Sequence, residues 1–75
     1  TIRSTARRVE GVKNLHSVML RHSGPHLLGE IHIQVDGAMT VQETNRIVKK
    51  VKSSIKDIIP NLGHLTVEVE PESEE

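Results

Sequence analysis

The residues best suited to chemistry in this chain are one histidine and several glutamates that alternate with apolar side chains. His32 follows Glu30 by two positions, and Glu68 and Glu70 are spaced in the same way in a later segment. Residues two apart on a strand project from the same face, roughly 6–7 Å apart at the base. One imidazole with several carboxylates and no thiolate suits a borderline divalent metal such as zinc, iron, cobalt, nickel or manganese. The same spacing also fits a surface histidine and solvated glutamates, so spacing alone leaves both interpretations open.

The other four histidines occupy less regular positions. Strict alternation from Val18 would turn His16 toward the opposite face, although a bulge just before the strand would redirect it. His22 and His26 flank turn residues, and His64 precedes the last alternating segment. Spacing therefore makes His16 a boundary residue and predicts that the other three are turn residues facing solvent.

Composition argues against several classes of function. The 75 residues include ten Lys plus Arg and ten Asp plus Glu, and a formal net charge of zero argues against a nucleic-acid binder. The absence of Cys excludes disulfide scaffolds and thiol nucleophiles, and the absence of aromatic residues removes any stacking platform for bases. No serine lies in a nucleophile elbow and no Gly-rich phosphate loop is present, so we expect no enzyme activity. A domain this small usually needs a metal or a partner subunit for stability.

Hydrophobic periodicity predicts five elements that would position the polar residues. They are a helix over residues 1–10, strands over 17–22 and 29–35, a helix between Thr40 and Pro60, and a strand over 65–70. Thr40 and Glu43 have the spacing of a capping box, the clearest helix start in the chain. An apolar stripe at helical spacing follows, formed by Val41, Thr44, Ile47, Val48, Val51, Ile55, Ile58 and Ile59.

These elements predict an α+β fold of order α-β-β-α-β, in which two helices cover one face of a three-stranded sheet and leave a polar second face. The apolar pattern is expected to place Val18 and Leu20 beside Ile33 and Ile31, respectively. That register would put Met19 across from His32, and Arg21 across from Glu30. The strand order stays open, because the last strand could pair with the second or lie beyond the first.

Charge and the chain ends give further expectations. The basic residues between positions 46 and 57 predict either the solvated face of a helix or a surface for phospholipid headgroups or an acidic partner. Helical spacing of Ile2, Ala6 and Val9 predicts that the chain is a piece of a longer protein. No apolar run approaches the roughly 18 residues of a membrane span. We expect residues 1–71 to form one domain and residues 72–75 an acidic tail.

Four short motifs in the same order resemble those of the cytoplasmic C-terminal domain of cation diffusion facilitator transporters, over about residues 1–71. They are GV-x-x-L-H ending at His16, E-I-H-I from Glu30 to Ile33, D-x-x-x-T-V from Asp36 to Val41, and V-E-V-E-P from Val67 to Pro71. The resemblance implies a ferredoxin-like, metallochaperone-like α-β-β-α-β sandwich that forms a V-shaped homodimer. It also implies a place on the cytoplasmic side of the cell membrane, beside the membrane domain of the same transporter.

The resemblance further implies a set of metal ligands. His16 and His32 match the family's histidines before the first strand and in the second strand, and Glu70 stands where an acidic ligand often precedes the closing proline. Glu68 and Asn45 stand where zinc-transporting members have further histidines, which favours one oxygen-richer site or another metal over a two-zinc site. Glu30 is an additional candidate ligand, because some members carry an acidic residue there.

The function expected from this resemblance is metal sensing and dimerisation in a divalent cation efflux antiporter, with metal bound between subunits to regulate transport. Zinc is the first candidate metal, and iron, manganese, cobalt and nickel are alternatives. The competing hypothesis is a purely structural dimerisation module that binds no metal.

Overall fold

The computed structural model describes residues 2–72. Thr1 and residues 73–75 of the predicted acidic tail lie outside the described residues. The elements are helix α1 (Ile2–Arg7), strands β1 (Asn14–Ser23) and β2 (His26–Val35), helix α2 (Val41–Ile58) and strand β3 (Leu62–Pro71). The predicted α-β-β-α-β order and the ferredoxin-like α+β fold are confirmed.

Helix α2 begins at the capping box predicted from the sequence. The Thr40 hydroxyl accepts a hydrogen bond from the Glu43 backbone N–H at 3.0 Å, and the Glu43 carboxylate accepts one from the Thr40 N–H at 2.9 Å. Both bonds satisfy N–H groups that a helix start leaves without a partner in the helix itself. Beyond Ile58 the chain reaches Pro60, which cannot donate a backbone hydrogen bond to continue the helix.

The sheet has the strand order β1-β2-β3, with β1 antiparallel and β3 parallel to β2. This order settles the alternative left open by the sequence, since α2 connects two neighbouring parallel strands. Because β2 is central, its side chains lie between those of both other strands on each face of the sheet. Within residues 2–72, neither helix is long and apolar enough to cross a membrane.

The predicted register of the β1–β2 hairpin is wrong by two residues. Val18 pairs with Ile31, and Met19 is across from Glu30. The tight turn at Gly24 and Pro25 decides the register, because Ser23 pairs directly with His26. A shift of two keeps every side chain on its predicted face, so the hydrophobic pattern could not detect the error.

The same two-residue shift changes the predicted cross-strand partners of His32 and Arg21. Ser17, and not Met19, lies across from His32. Arg21 lies across from Leu28, and so the predicted cross-strand pair with Glu30 does not form.

The core lies between the helices and the inner face of the sheet. Its buried members are Ala6, Val9, Leu15, Ile31, Ile33, Val35, Ile47, Val51, Ile55, Leu62 and Leu65. The predicted apolar stripe of α2 is buried only in its middle, since Val41 is 78% exposed and Ile58 is 46% exposed. These two residues lie at the ends of α2, beyond the part that packs against the sheet.

Gly11 allows the chain to leave α1 and enter the sheet. Its φ of +101° lies in a region that side chains rarely adopt, and a Cβ there would lie 2.4 Å from Cδ1 of Ile47. A glycine is therefore needed both for the backbone conformation and for the close approach of α2.

Candidate metal site

The outer face of the sheet places the candidate ligands beside one another. In the parallel pairing of β2 and β3, His32 lies next to Glu68, and Gln34 lies next to Glu70. Glu30 projects from the same face of β2, two residues before His32. The His32 side chain is 28% exposed, and the three glutamate side chains are between 37% and 55% exposed.

Carboxylates face both ring nitrogens of His32. Nε2 lies 3.2 Å from Oε2 of Glu30 and 3.5 Å from Oε1 of Glu68, whereas Nδ1 lies 3.6 Å from Oε2 of Glu70. Because an ionised carboxylate only accepts, Nε2 donates in the hydrogen bond to Glu30, while Glu68 and Glu70 lie at ion-pair distance from the ring. This arrangement favours an imidazolium flanked by negative charge on both sides.

These contacts shift the pKa of His32. The hydrogen bond to Glu30 makes the largest contribution and raises the pKa above its usual value. Partial burial opposes this effect, while the charges of Glu68 and Glu30 and the contact with Glu70 raise the pKa further. The carboxylates around His32 therefore stabilise positive charge at its ring nitrogens, whether that charge is a proton or a metal ion.

Three potential ligand atoms of Glu30, His32 and Glu68 lie within 4.8 Å of one another. Two ligands of one zinc ion are at most about 4.4 Å apart, because each lies about 2.0–2.2 Å from the metal. The two distances from His32 Nε2 already satisfy that limit, and exposed glutamates can make the remaining adjustment by rotating their side chains. The group thus matches a site with one nitrogen and two oxygen donors.

His16 reaches this face through a bulge in β1. The pairing passes from Leu15 to Ser17, so the residue between them has no direct partner. Leu15 is buried, whereas the His16 side chain is 63% exposed and its Nδ1 lies 3.7 Å from Oε1 of Glu70. His16 is therefore linked to His32 through Glu70 and lies outside the group around Nε2.

The five sequence-predicted residues thus form one connected set with two parts. Glu30, His32 and Glu68 converge on one point, and Glu70 connects them to His16. Asn45 lies exposed on α2, in the opposite layer. Among residues 2–72 no second group of His, Asp and Glu has this convergence. Sequence reasoning did not identify Ser17 as the cross-strand neighbour of His32, which the bulge and the turn decide.

The fold agrees with what comparison with known proteins shows. The sequence profile of the cation efflux protein cytoplasmic domain matches residues 1–72. The chain belongs to this family. A comparison with curated protein sequences gave no match.

Solved structures of the C-terminal domain of MamM, a cation diffusion facilitator, are similar to this cation efflux domain. A doubly substituted variant has a TM-score of 0.90 at 24% identity, and covers 99% of this chain and 88% of its own. The cadmium form of a singly substituted variant has a TM-score of 0.87 at 28% identity, with coverages of 96% and 90%. The nickel form of another singly substituted variant, in which a histidine replaces a glutamate, has a TM-score of 0.88 at 25% identity, with coverages of 96% and 91%.

Proposed function

We propose that this cation efflux cytoplasmic domain senses a divalent metal ion and dimerises, and so regulates the transporter on whose cytoplasmic side it lies. The observation that carries the proposal is the convergence of Glu30, His32 and Glu68 on one point of the open sheet face. The cadmium and nickel forms of singly substituted MamM C-terminal domains support a divalent ion, and the nitrogen and oxygen donors suit zinc first. Iron, manganese, cobalt and nickel suit the same donors. The role is binding rather than catalysis.

Metal and proton compete for the same atom in this proposal. Nε2 of His32 must lose its proton to offer a lone pair, and the metal then takes the position that the proton held between Glu30 and Glu68. Glu70 faces the other ring nitrogen at 3.6 Å, so in the metal-bound form we expect its carboxylate to accept from the Nδ1–H and to orient the ring. We therefore assign direct metal binding to the three converging residues. Glu70 supports the site by orienting His32, and His16 contacts Glu70 in turn.

Three ligands leave the coordination of a metal ion incomplete. Zinc in closed sites takes four ligands, and the open face leaves room for a further donor from solvent or a second copy. The same face exposes 63% of Met19, an apolar side chain that a second copy would cover. Both features support a homodimer that binds metal between its subunits, attached to a membrane domain of the same transporter.

Calorimetric titration with zinc, nickel and manganese chlorides tests the proposal. We expect His32→Ala to weaken binding on the order of 100-fold, because the removed ligand lies on a rigid central strand. The matched control is His64→Ala, which removes an exposed histidine outside the converging group.

Two outcomes would contradict the assignment. If none of the metals binds the unsubstituted chain, it is a purely structural dimerisation module. If the control loses as much affinity as His32→Ala, the metal binds elsewhere. Elemental analysis of the purified domain gives the stoichiometry independently.

A further inference from the structure

The charges of this net-neutral chain are divided between its two layers. The helix layer, defined here as residues 2–10 together with α2, carries Arg3, Arg7, Arg8 and the five bases of α2, against three acidic residues. The rest of the chain carries only two bases, Lys13 and Arg21, against seven acidic residues. The domain therefore has a basic helix layer on one side, while the outer face of the sheet carries the carboxylates of Glu30, Glu68 and Glu70.

The basic charges of the helix layer are exposed and uncompensated. All eight side chains are exposed to solvent. In the described part of the chain, none of them has a carboxylate oxygen within 4.0 Å, since every ion pair there involves a histidine. Lys56 donates one hydrogen bond to the Leu62 carbonyl, which leaves its charge unneutralised.

Part of this charge forms a row along α2. Lys49, Lys52 and Lys56 are spaced by three and four residues and so share one side of the helix. The row lies to one side of the buried stripe of Ile47, Val51 and Ile55, toward β3, where Lys56 donates to the Leu62 carbonyl. Helix α2 is about 27 Å long at 1.5 Å per residue. The outer side of the helix layer is thus an extended array of flexible positive charges rather than a pocket.

We propose that the helix layer is a contact surface for the anionic lipid headgroups of the membrane. An extended array of lysines and arginines complements a fluid sheet of negative headgroups, and each base near such a surface strengthens binding about fivefold. A single protein partner is less well matched, because protein interfaces centre on side chains that fill pockets, whereas these bases form an extended array on an open surface. The inference rests on the proposed attachment to a membrane domain, which would raise the local lipid concentration.

Vesicle sedimentation with the 75-residue chain in EDTA tests the inference. The probes are phosphatidylcholine vesicles with and without 30% phosphatidylserine, at low salt. The test variant Lys49→Gln/Lys52→Gln removes two exposed bases of the row, and the control Lys13→Gln/Arg21→Gln removes two exposed bases outside the helix layer. The net charge changes equally in both, so only the location of the lost charge differs.

We expect binding only to the anionic vesicles, loss of binding in 0.5 M salt, and about 25-fold weaker partitioning of the test variant than of the control. No sedimentation at millimolar anionic lipid, or equal weakening of both variants, would overturn the inference. Tighter binding to polyglutamate than to the vesicles would overturn the inference and identify an acidic protein as the partner of the helix layer.

Salt-sensitive self-association without lipid would overturn it too, and would identify the acidic outer sheet face of a second copy as the partner. Since EDTA is present throughout, failure of metal binding leaves these outcomes unchanged.

Discussion

His32 is the residue on which the candidate site depends, because it is the point of contact for three glutamates. Two carboxylates face Nε2 and one faces Nδ1. The same negative surroundings favour either a protonated ring or a bound cation at Nε2, and the two exclude each other.

The separate effects of the glutamates can be measured through the pKa of His32. We expect Glu30→Gln to lower this pKa more than Glu70→Gln, because the hydrogen bond to Glu30 is the largest cause of the upward shift. NMR titration of the imidazole protons in EDTA gives the pKa directly. Equal shifts in the two variants would show that overall charge, and not the contact at 3.2 Å, controls the ring.

Metal affinity provides a second test of how the glutamates act on His32. Glu70→Gln should weaken zinc binding on the order of 10-fold, since a partner that orients a ligating histidine typically has an effect of this size. Calorimetric titration measures the change, and Gln34→Ala, at the neighbouring position of the pairing, is the control. A 1,000-fold loss with Glu70→Gln would identify Glu70 as a direct ligand instead.

Stability should depend on pH in opposite directions without and with metal. The folded state raises the pKa of His32, so its protonated form stabilises the metal-free fold below about pH 6.5. This contribution is lost as the pH rises through the raised folded-state pKa. Zinc requires the neutral ring, so its stabilisation should be greater at pH 7.5 than at pH 5.5.

Melting curves of the unsubstituted chain and of His32→Gln at both pH values check these signs. In EDTA, the advantage of the unsubstituted chain should be larger at pH 5.5. Zinc at 100 times its dissociation constant stabilises by about 2.7 kcal/mol and should raise the melting temperature on the order of 10 °C at pH 7.5. A zinc shift that is the same at pH 5.5 would mean that carboxylates alone bind the metal.

At the scale of the elements, the sequence predicted the type and order of every helix and strand but not the register of one hairpin or the element bounds. Helix α1 ends at Arg7 rather than at residue 10, and all three strands are longer than predicted. Alternating Ile31, Ile33 and Val35 could only belong to a half-buried strand, and the capping box at Thr40 marked the start of α2. The register depended on the length of the turn at Gly24, and slips by two residues leave the hydrophobic pattern unchanged.

The candidate site was predictable to the same degree. Spacing placed Glu30, His32, Glu68 and Glu70 on one face, and their convergence needed only that β2 and β3 be neighbours. Spacing could not place His16, because a bulge reverses the alternation at that residue. It also could not distinguish the two ring nitrogens of His32, whose different partners depend on the side-chain conformations.

The junction between α1 and β1 gives a stability prediction for these elements. Gly11→Ala combines an unfavourable φ with a clash against Ile47 and should destabilise the fold by about 3 kcal/mol. Gly24→Ala also has a positive φ, of 59°, but its Cβ would have no atom within 4 Å, so it should cost about 1 kcal/mol. Chemical denaturation measures both losses, and equal values would show that the contact with Ile47 relaxes freely.

For the whole molecule, the small core and the open polar face lead us to expect a homodimer. The core contains no aromatic side chain, and its largest fully buried members are Ile31, Ile33, Ile55 and Val51. Burial of further surface against a second copy would add stability that a domain of this size lacks. Sedimentation equilibrium at tens of micromolar should show the dimer, with and without zinc. A monomer under both conditions would contradict this expectation.

The two faces of the sheet also separate the core residues, which the fold requires, from the candidate ligands, which can be substituted without disturbing the core. Ile31 and Ile33 are fully buried, while Glu30 and His32 alternate with them toward solvent. A ligand on the outer face can be exchanged without opening a cavity, because it fills no space in the core. This architecture allows the preference for one metal over another to drift in evolution, or to be redesigned, while the interior stays constant.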